Sequence, residues 1–238
     1  MSLGRAVLLV GSARPRGEST SGSLGRYLFE RLEEHGVETG VFFASRVRHP
    51  VRADRLLEAI DEADLFVLSS PLYVDSFPYL VTLALERIAA PRWAMRGPAS
   101  VRFLAIVNCG FPEPEHTRTA LGIAQAFARR AGFEWVGGIG IGGGELVAGR
   151  PLETVGRPAR RVIRALDLAA EALAEGRRVP DMATRLVARP LVPASIYTFV
   201  ASLRWRREAL RNHVHRRLGA RPYDSTEERE AVFRESDR

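Results

Sequence analysis

Residues 6–23, Ala-Val-Leu-Leu-Val-Gly-Ser-Ala-Arg-Pro-Arg-Gly-Glu-Ser-Thr-Ser-Gly-Ser, decide the fold of this chain. The apolar run Ala6–Val10 is typical of a strand that is buried on both faces of a sheet. The loop after it is rich in glycine and hydroxyl side chains, and we expect Ser21 to cap the helix that follows. A buried strand, a polar loop and a helix predict the first unit of a doubly wound α/β domain.

The same alternation continues through residues 1–176. Four further strands are predicted at Val37–Ala44, Leu65–Ser69, Val101–Val107 and Glu134–Ile141, with amphipathic helical patterns after most of them. Strands that alternate with helices predict a parallel sheet with right-handed crossovers. Ligands of such sheets bind outside the carboxyl ends of the strands, so we expect the site in the loops after strands one, three and four.

The loop after the first strand has the chemistry of an anion site. A helix N-terminus offers unpaired N–H groups to a bound anion, and arginine adds charge-assisted hydrogen bonds. A phosphate group is therefore the expected ligand of this loop. The alternative is a flexible polar loop with an ordinary helix cap. The candidate ligands are Ser12, Arg14, Arg16, Ser19, Thr20 and Ser21.

The loops after strands three and four each carry an aromatic residue. In Ser70–Pro78, two prolines stiffen a loop that contains Tyr73, and Asn108–Glu113 contains Phe111 next to Gly110. A planar ligand would find stacking area there, and glycine allows the backbone to approach it closely. The alternative is that Tyr73 only covers the core.

Composition excludes several classes of function. Hydrophobic residues make up 46% of the 238 residues and charged residues 26%, which is typical of a soluble globular chain. All 35 residues in the Lys+Arg count are arginines, so a Walker A lysine and a lysine Schiff base are both excluded. One cysteine excludes an intramolecular disulfide, and no metal site is expected from His213 and His215 alone. We expect a cytoplasmic protein.

One motif is expected to be a false positive. Gly138, Gly140 and Gly143 fit the spacing of the dinucleotide-binding fingerprint, but they follow the fifth strand instead of the first. We interpret these glycines as close backbone packing at the rim of the site.

Three segments together resemble the NAD(P)H-dependent FMN reductases of the flavodoxin-like superfamily. They are the first loop from Gly11, the run Pro71-Leu72-Tyr73, and Asn108-Cys109-Gly110-Phe111-Pro112-Glu113. The resemblance covers about residues 5–176 and implies a five-stranded sheet in the order 2-1-3-4-5. It implies that the FMN phosphate is held by Ser12, Arg14, Ser19 and Ser21. The flavin ring would then lie between two walls, Pro71, Leu72, Tyr73 and Val74 on one side and Asn108, Cys109, Gly110 and Phe111 on the other.

The family chemistry implies an enzyme that takes hydride from NADH or NADPH and passes electrons to an acceptor. Quinones, nitro- or azo-aromatics, metal ions and free flavin are the acceptor classes. No catalytic side chain is required, because the cofactor carries the redox chemistry. Two alternatives stay open: an FMN-binding electron carrier or regulator without NAD(P)H turnover, and an interaction protein of the same fold without FMN.

The chain continues beyond this domain with a basic extension and a polar tail. Residues 177–223 contain 11 arginines against two acids, whereas residues 1–176 contain 21 arginines against 20 acids. A helical pattern places Ile196, Val200, Leu203, Leu210, Val214 and Leu218 on roughly one face. We expect residues 179–223 to cover a core or a sister subunit in a homo-oligomer, dimer or tetramer. The alternatives are weak binding to an anionic membrane surface and binding to an acidic partner. Residues 224–238 are expected to be a polar tail, and no nucleic-acid partner is expected.

Overall fold

The computed structural model describes residues 3–14, 18–92 and 101–220. Five parallel strands form one sheet in the order β2-β1-β3-β4-β5, which confirms the predicted topology. The strands are β1 Arg5–Val10, β2 Glu38–Phe43, β3 Leu65–Pro71, β4 Arg102–Asn108 and β5 Glu134–Ile141.

Helices cover both faces of this sheet. Side chains alternate along β1, so that Leu8 packs in one core with α1 and α6, while Leu9 packs in the other with α2, α3 and α4. The helices are α1 Thr20–Glu34, α2 Pro50–Asp61, α3 Tyr79–Arg92, α4 Arg118–Arg130, α5 Leu152–Val155, α6 Arg160–Ala174, α7 Asp181–Val187 and α8 Ala194–Arg211.

Two helical details differ from the sequence analysis. The N-cap of α1 is Ser19 and not Ser21, because the chain is extended at Ser19 and its Oγ accepts a 3.0 Å hydrogen bond from the Gly22 N–H. Helix α8 ends at Arg211, before Val214, so the predicted apolar face does not continue to Leu218 as one helix. His213 adopts a positive φ of 57° after the helix end.

The chain divides into two compact units, Met1–Pro193 and Ala194–Arg238. The first unit extends beyond the boundary expected at residue 176, because Ala183 and Val187 of α7 are buried in its core. The Val179 N–H also donates to the Val136 carbonyl at the outer edge of β5. The second unit contains α8, and the predicted tail, residues 224–238, lies outside the described residues.

No helix within residues 3–14, 18–92 and 101–220 has both the length and the apolar character needed to cross a bilayer.

Candidate flavin site

A cavity of about 240 Å³ opens at the carboxyl edge of the sheet. Four loops meet there, those that follow β1, β3, β4 and β5. The lining residues are Ser12, Arg14, Ser19, Thr20, Ser21, Pro71, Leu72, Tyr73, Asn108, Gly110, Gly144, Glu145 and Ala148. Polar and apolar groups both line this space, as is usual for a small-molecule site.

Two serine hydroxyls accept backbone hydrogen bonds at the two described ends of the loop after β1. Ser12 Oγ accepts a 3.2 Å hydrogen bond from the Arg14 N–H, and Ser19 caps α1. The first N–H groups of a helix have no partner inside it. Within the described residues, the N–H groups of Thr20 and Ser21 have no hydrogen-bond acceptor. The cavity therefore receives free donors from the start of α1.

Three side-chain hydrogen bonds connect this loop to the other strands. Ser21 Oγ donates to Asn108 Oδ1 at 2.7 Å, and Thr20 Oγ1 donates to the Gly144 carbonyl at 2.7 Å. The Ser69 hydroxyl donates to the Ser21 carbonyl, also at 2.7 Å. Buried polar groups are costly unless they are paired, so these bonds fix the relative positions of the loops.

The loop after β3 forms a tight turn that exposes its tip. Tyr73 and Ser76 exchange backbone hydrogen bonds of 2.9 and 3.1 Å across Val74 and Asp75. Both central residues have positive φ, 48° and 58°, a conformation that is rare for a β-branched residue such as valine. Tyr73 is 54% exposed at the cavity, whereas Val74 is 99% exposed and does not line it.

The turn after β4 buries its cysteine. The Cys109 N–H donates to the Ile141 carbonyl at 3.0 Å, and Cys109 Sγ approaches the Phe111 carbonyl at 3.4 Å. Burial is the main cause that raises the pKa of the Cys109 thiol. The thiol is therefore held in its protonated, weakly nucleophilic form.

Phe111, in the same turn, lies outside the cavity lining. Its ring stacks on His116 at 4.6 Å between centroids and is 59% exposed. The predicted site residues thus divide into two groups. Ser12, Arg14, Ser19, Thr20, Ser21, Pro71, Leu72, Tyr73, Asn108 and Gly110 line the cavity, whereas Val74, Cys109 and Phe111 do not, and Arg16 lies outside the described residues.

A fourth loop contributes residues that the sequence analysis did not include. Gly144, Glu145 and Ala148 follow β5 and line the cavity, and the Gly144 N–H donates to the Cys109 carbonyl at 2.8 Å. Close packing explains the glycines, since a Cβ on Gly142 would lie 2.2 Å from the Pro112 carbonyl oxygen. Of the glycines in the fingerprint spacing, Gly138 and Gly140 lie within β5, where an added Cβ would meet the side chains of Leu121 at 2.9 Å and Thr117 at 2.1 Å. The position of β5 next to β4 was the signal for this loop.

Solved structures with the same fold include several flavoproteins. An NADH:FMN oxidoreductase in its apo form is 15% identical with a TM-score of 0.57, over 79% of this chain and 96% of that chain. The NAD(P)H:quinone oxidoreductase from Methanothermobacter marburgensis is 18% identical with a TM-score of 0.51, over 70% and 96%. A flavodoxin from Streptococcus pneumonia TIGR4 is 15% identical with a TM-score of 0.51, over 72% and 99%. These similarities show a flavodoxin-like fold.

None of the curated proteins compared with the chain matches it.

The family profile of the NADPH-dependent FMN reductases matches residues 5–133, which is more than half of the chain. The matched region contains β1 to β4 and three of the four loops that line the cavity. The chain therefore belongs to the NADPH-dependent FMN reductase family, in which FMN is the cofactor and NAD(P)H the reductant.

Proposed function

We propose that the cavity at the carboxyl edge of the sheet binds FMN and that the chain uses it to carry electrons from NAD(P)H to a small aromatic acceptor. The observation that carries this proposal is the set of hydrogen-bond donors in the first loop that have no acceptor among the described residues. These donors lie at the N-terminus of α1, where the helix dipole also favours negative charge.

The donors of the first loop fit a phosphate group. The hydroxyls of Ser12 and Ser19 each accept a backbone hydrogen bond, which leaves their own protons available to an anion. Arg14 and the N–H groups of Thr20 and Ser21 add further donors on the cavity side. We therefore propose that these five residues hold the phosphate of FMN.

The side chains of Thr20 and Ser21 have a different role in this proposal. Their hydroxyls donate to the Gly144 carbonyl and to Asn108, so they hold the loops together and do not donate to the phosphate. Only their backbone N–H groups would face the anion. This assignment refines the sequence expectation, which gave the Ser21 hydroxyl to the phosphate.

The opposite part of the cavity fits a planar ring. Pro71, Leu72 and Tyr73 form one wall, which the Leu72 N–H fixes by donating to the Asn108 carbonyl at 2.8 Å. Gly110 has no side chain, so its backbone can approach a ring closely. We propose that the isoalloxazine lies between this wall and the turn Asn108–Gly110, with the Glu145 loop at the rim.

FMN, when bound, accepts a hydride and releases electrons singly or in pairs, so the redox chemistry belongs to the cofactor. The protein would bind and orient it. Among the lining residues, Arg14, Tyr73 and Glu145 carry ionisable side chains, and the proposal requires proton transfer from none of them. This agrees with a hydride transfer whose rate depends on how the protein positions the cofactor and the nucleotide.

We propose the class of electron acceptor from the exposed aromatic rings near the rim of the site. Tyr73 and Phe111 are more than half exposed near the mouth of the site, and such rings stack well with planar aromatic molecules. A quinone is the first acceptor to test, followed by azo- and nitro-aromatics. We also propose a cytoplasmic homo-oligomer, because NAD(P)H is available in the cytoplasm and the family resemblance implies a protein that dimerises.

The test follows the absorbance of the protein reconstituted with FMN. Anaerobic addition of NADPH or NADH should bleach the flavin band, and a quinone such as menadione should restore it over several cycles. A protein that binds FMN but is not bleached by either nucleotide would be a carrier, and one that binds no FMN would contradict the whole proposal.

A matched pair of tyrosine variants tests the ring position. Tyr73→Ala removes an aromatic wall of the cavity, whereas Tyr79→Ala removes an exposed tyrosine that does not line it. An aromatic stacking pair contributes about 0.5–1.5 kcal/mol, so FMN affinity should fall about two- to tenfold in Tyr73→Ala only. Equal losses in both variants would contradict this placement of the ring.

A further inference from the structure

Helix α8 carries an apolar stripe along one face. At 100° per residue, Ile196, Phe199, Val200, Leu203 and Leu210 lie within about a third of the helix circumference. Each of these side chains is between 44% and 65% exposed. The stripe is about 21 Å long, at 1.5 Å per residue.

The opposite face of the same helix is covered only in part. Ala209 is buried, and Tyr197 and Ala201 are half-buried, on the side of the helix away from Leu203. Thr198 and Trp205 lie on the same side and are exposed, Trp205 to 73%.

Arginines border the stripe on both sides. Arg206 lies along one border, Arg211 and Arg204 lie along the other, and Arg207 lies within the stripe, between Ile196 and Val200. Residues 194–220 contain six arginines and one acid, Glu208. A helix with an aliphatic stripe between arginine borders has the pattern of helices that lie in the plane of a lipid interface.

The charges of the candidate partners distinguish between the surfaces that could cover this stripe. A second copy packed stripe to stripe would bring two arginine-bordered helices together, and like charges in contact are unfavourable. Residues 1–176 contain 21 arginines and 20 acids, so that domain offers no excess of negative charge. Residues 224–238 contain six acids and three arginines, an excess of three acids that is smaller than the excess of five arginines in residues 194–220. An anionic lipid headgroup layer complements the arginines and accepts the aliphatic side chains beneath them.

We propose that α8 binds the surface of anionic phospholipid membranes, with the stripe inserted at the headgroup level and the arginines on the phosphates. Arginine stems can lie along apolar surface while their guanidinium groups stay in the polar layer, which suits the borders of the stripe. This inference is independent of the flavin site. It differs from the sequence expectation of a sister subunit, because the structure shows arginines on both borders of the stripe.

The experiment is co-sedimentation of the full chain with vesicles of phosphatidylcholine and phosphatidylserine in a ratio of three to one. We expect binding to these vesicles and not to pure phosphatidylcholine. Binding should disappear in 1 M salt, where the Debye length falls to about 3 Å. Equal binding to neutral vesicles, or no binding to either, would overturn the proposal.

Two variants assign the binding to the stripe and its borders. Leu203→Gln should weaken vesicle binding at least about tenfold, because a buried leucine contributes about 1.5–3 kcal/mol. Thr198→Gln, the matched control at an exposed position on the other side of α8, should change binding less than about threefold, within ~0.7 kcal/mol. The double variant Arg206→Gln/Arg207→Gln should lose about fivefold per arginine. Equal effects of Leu203→Gln and Thr198→Gln would overturn the assignment.

Light scattering of the same proteins tests the alternative that a second copy of the chain covers the stripe. If a second copy covers the stripe, Leu203→Gln lowers the molar mass of the assembly and the parent protein does not bind vesicles. That pair of results would also overturn the proposal. Circular dichroism confirms that each variant is folded before its binding is interpreted.

Discussion

Ser21 Oγ donates a 2.7 Å hydrogen bond to Asn108 Oδ1, and both residues are buried. The two residues are far apart in sequence, at the start of α1 and at the end of β4. This bond joins the loop that carries the anion donors to the turn that carries Gly110. The cavity therefore depends on a polar contact between two loops as well as on the apolar core beneath it.

The first prediction compares two buried serines on the same helix. Ser21→Ala should lower the free energy of unfolding by about 1–3 kcal/mol, because Asn108 Oδ1 loses its buried donor. Ser23 Oγ is also buried but has no hydrogen-bond partner among the described residues, so Ser23→Ala should cost less than about 0.5 kcal/mol. Urea unfolding of both variants measures the difference, and equal losses would show that the Ser21–Asn108 bond does not stabilise the fold.

The second prediction concerns a substitution that fills the cavity and leaves the core unchanged. Among the described residues, a Cβ added at Gly110 or at Gly122 meets no heavy atom within 4 Å, but only Gly110 lines the cavity. Gly110→Val should weaken FMN binding at least about tenfold, or ~1.4 kcal/mol, while Gly122→Val should not. Flavin fluorescence titration measures both affinities. Unchanged FMN affinity in Gly110→Val would place the ring elsewhere.

The third prediction concerns the thiol. Burial raises the pKa of Cys109, and the cysteine does not line the cavity. Cys109→Ala should therefore keep most of the rate of NAD(P)H oxidation, and in the folded parent the thiol should react slowly with iodoacetamide near neutral pH. Rapid alkylation of the folded protein, or loss of turnover in a variant that still binds FMN, would contradict the buried position of the thiol.

The fourth prediction is a dependence of stability on alkaline pH. Burial, the hydrogen bond that Tyr27 OH donates to Asp167 Oδ1 at 2.8 Å and the charge of that carboxylate raise the pKa of Tyr27 well above its usual value. The unfolded tyrosine ionises near pH 10, so the folded state binds the proton more tightly. The stabilising contribution is complete below about pH 10 and is lost as pH rises above that value.

Comparison with Tyr27→Phe isolates this effect from the other titrating groups. The free energy of unfolding should fall more steeply above pH 10 in the parent than in Tyr27→Phe. Chemical denaturation on both sides of that pH measures the two slopes. Parallel curves would show that the Tyr27 proton is not held more tightly in the folded state.

The sequence predicted the architecture well because the apolar pattern of each strand agrees with its place in the parallel sheet. Ala6–Val10 and the four later apolar runs predicted the five strands, although the edge strand β2 is only partly buried. The confirmed order β2-β1-β3-β4-β5 brings their carboxyl ends together. Ten of the predicted site residues line the cavity for this reason.

The missed features depend on tertiary contacts that no local pattern reports. Both Ser19 and Ser21 are suitable helix caps, and only the position of Asn108 decides which hydroxyl turns inward. Cys109 lies at a strand end, where the alternation of side chains no longer fixes its direction. Glu145 was missed because the preceding glycines were assigned only to packing.

The central claim is that the first loop binds the phosphate of FMN, and the relative affinities for FMN and riboflavin test it most directly. A charge-assisted hydrogen bond contributes about 1.5–3 kcal/mol. Arg14→Gln should therefore weaken FMN binding about ten- to a hundredfold and leave riboflavin binding unchanged. Arg26→Gln, with the same loss of charge on the exposed side of α1, should affect neither ligand. The account predicts that the parent protein binds FMN more than tenfold more tightly than riboflavin, and equal affinities for the two would contradict it.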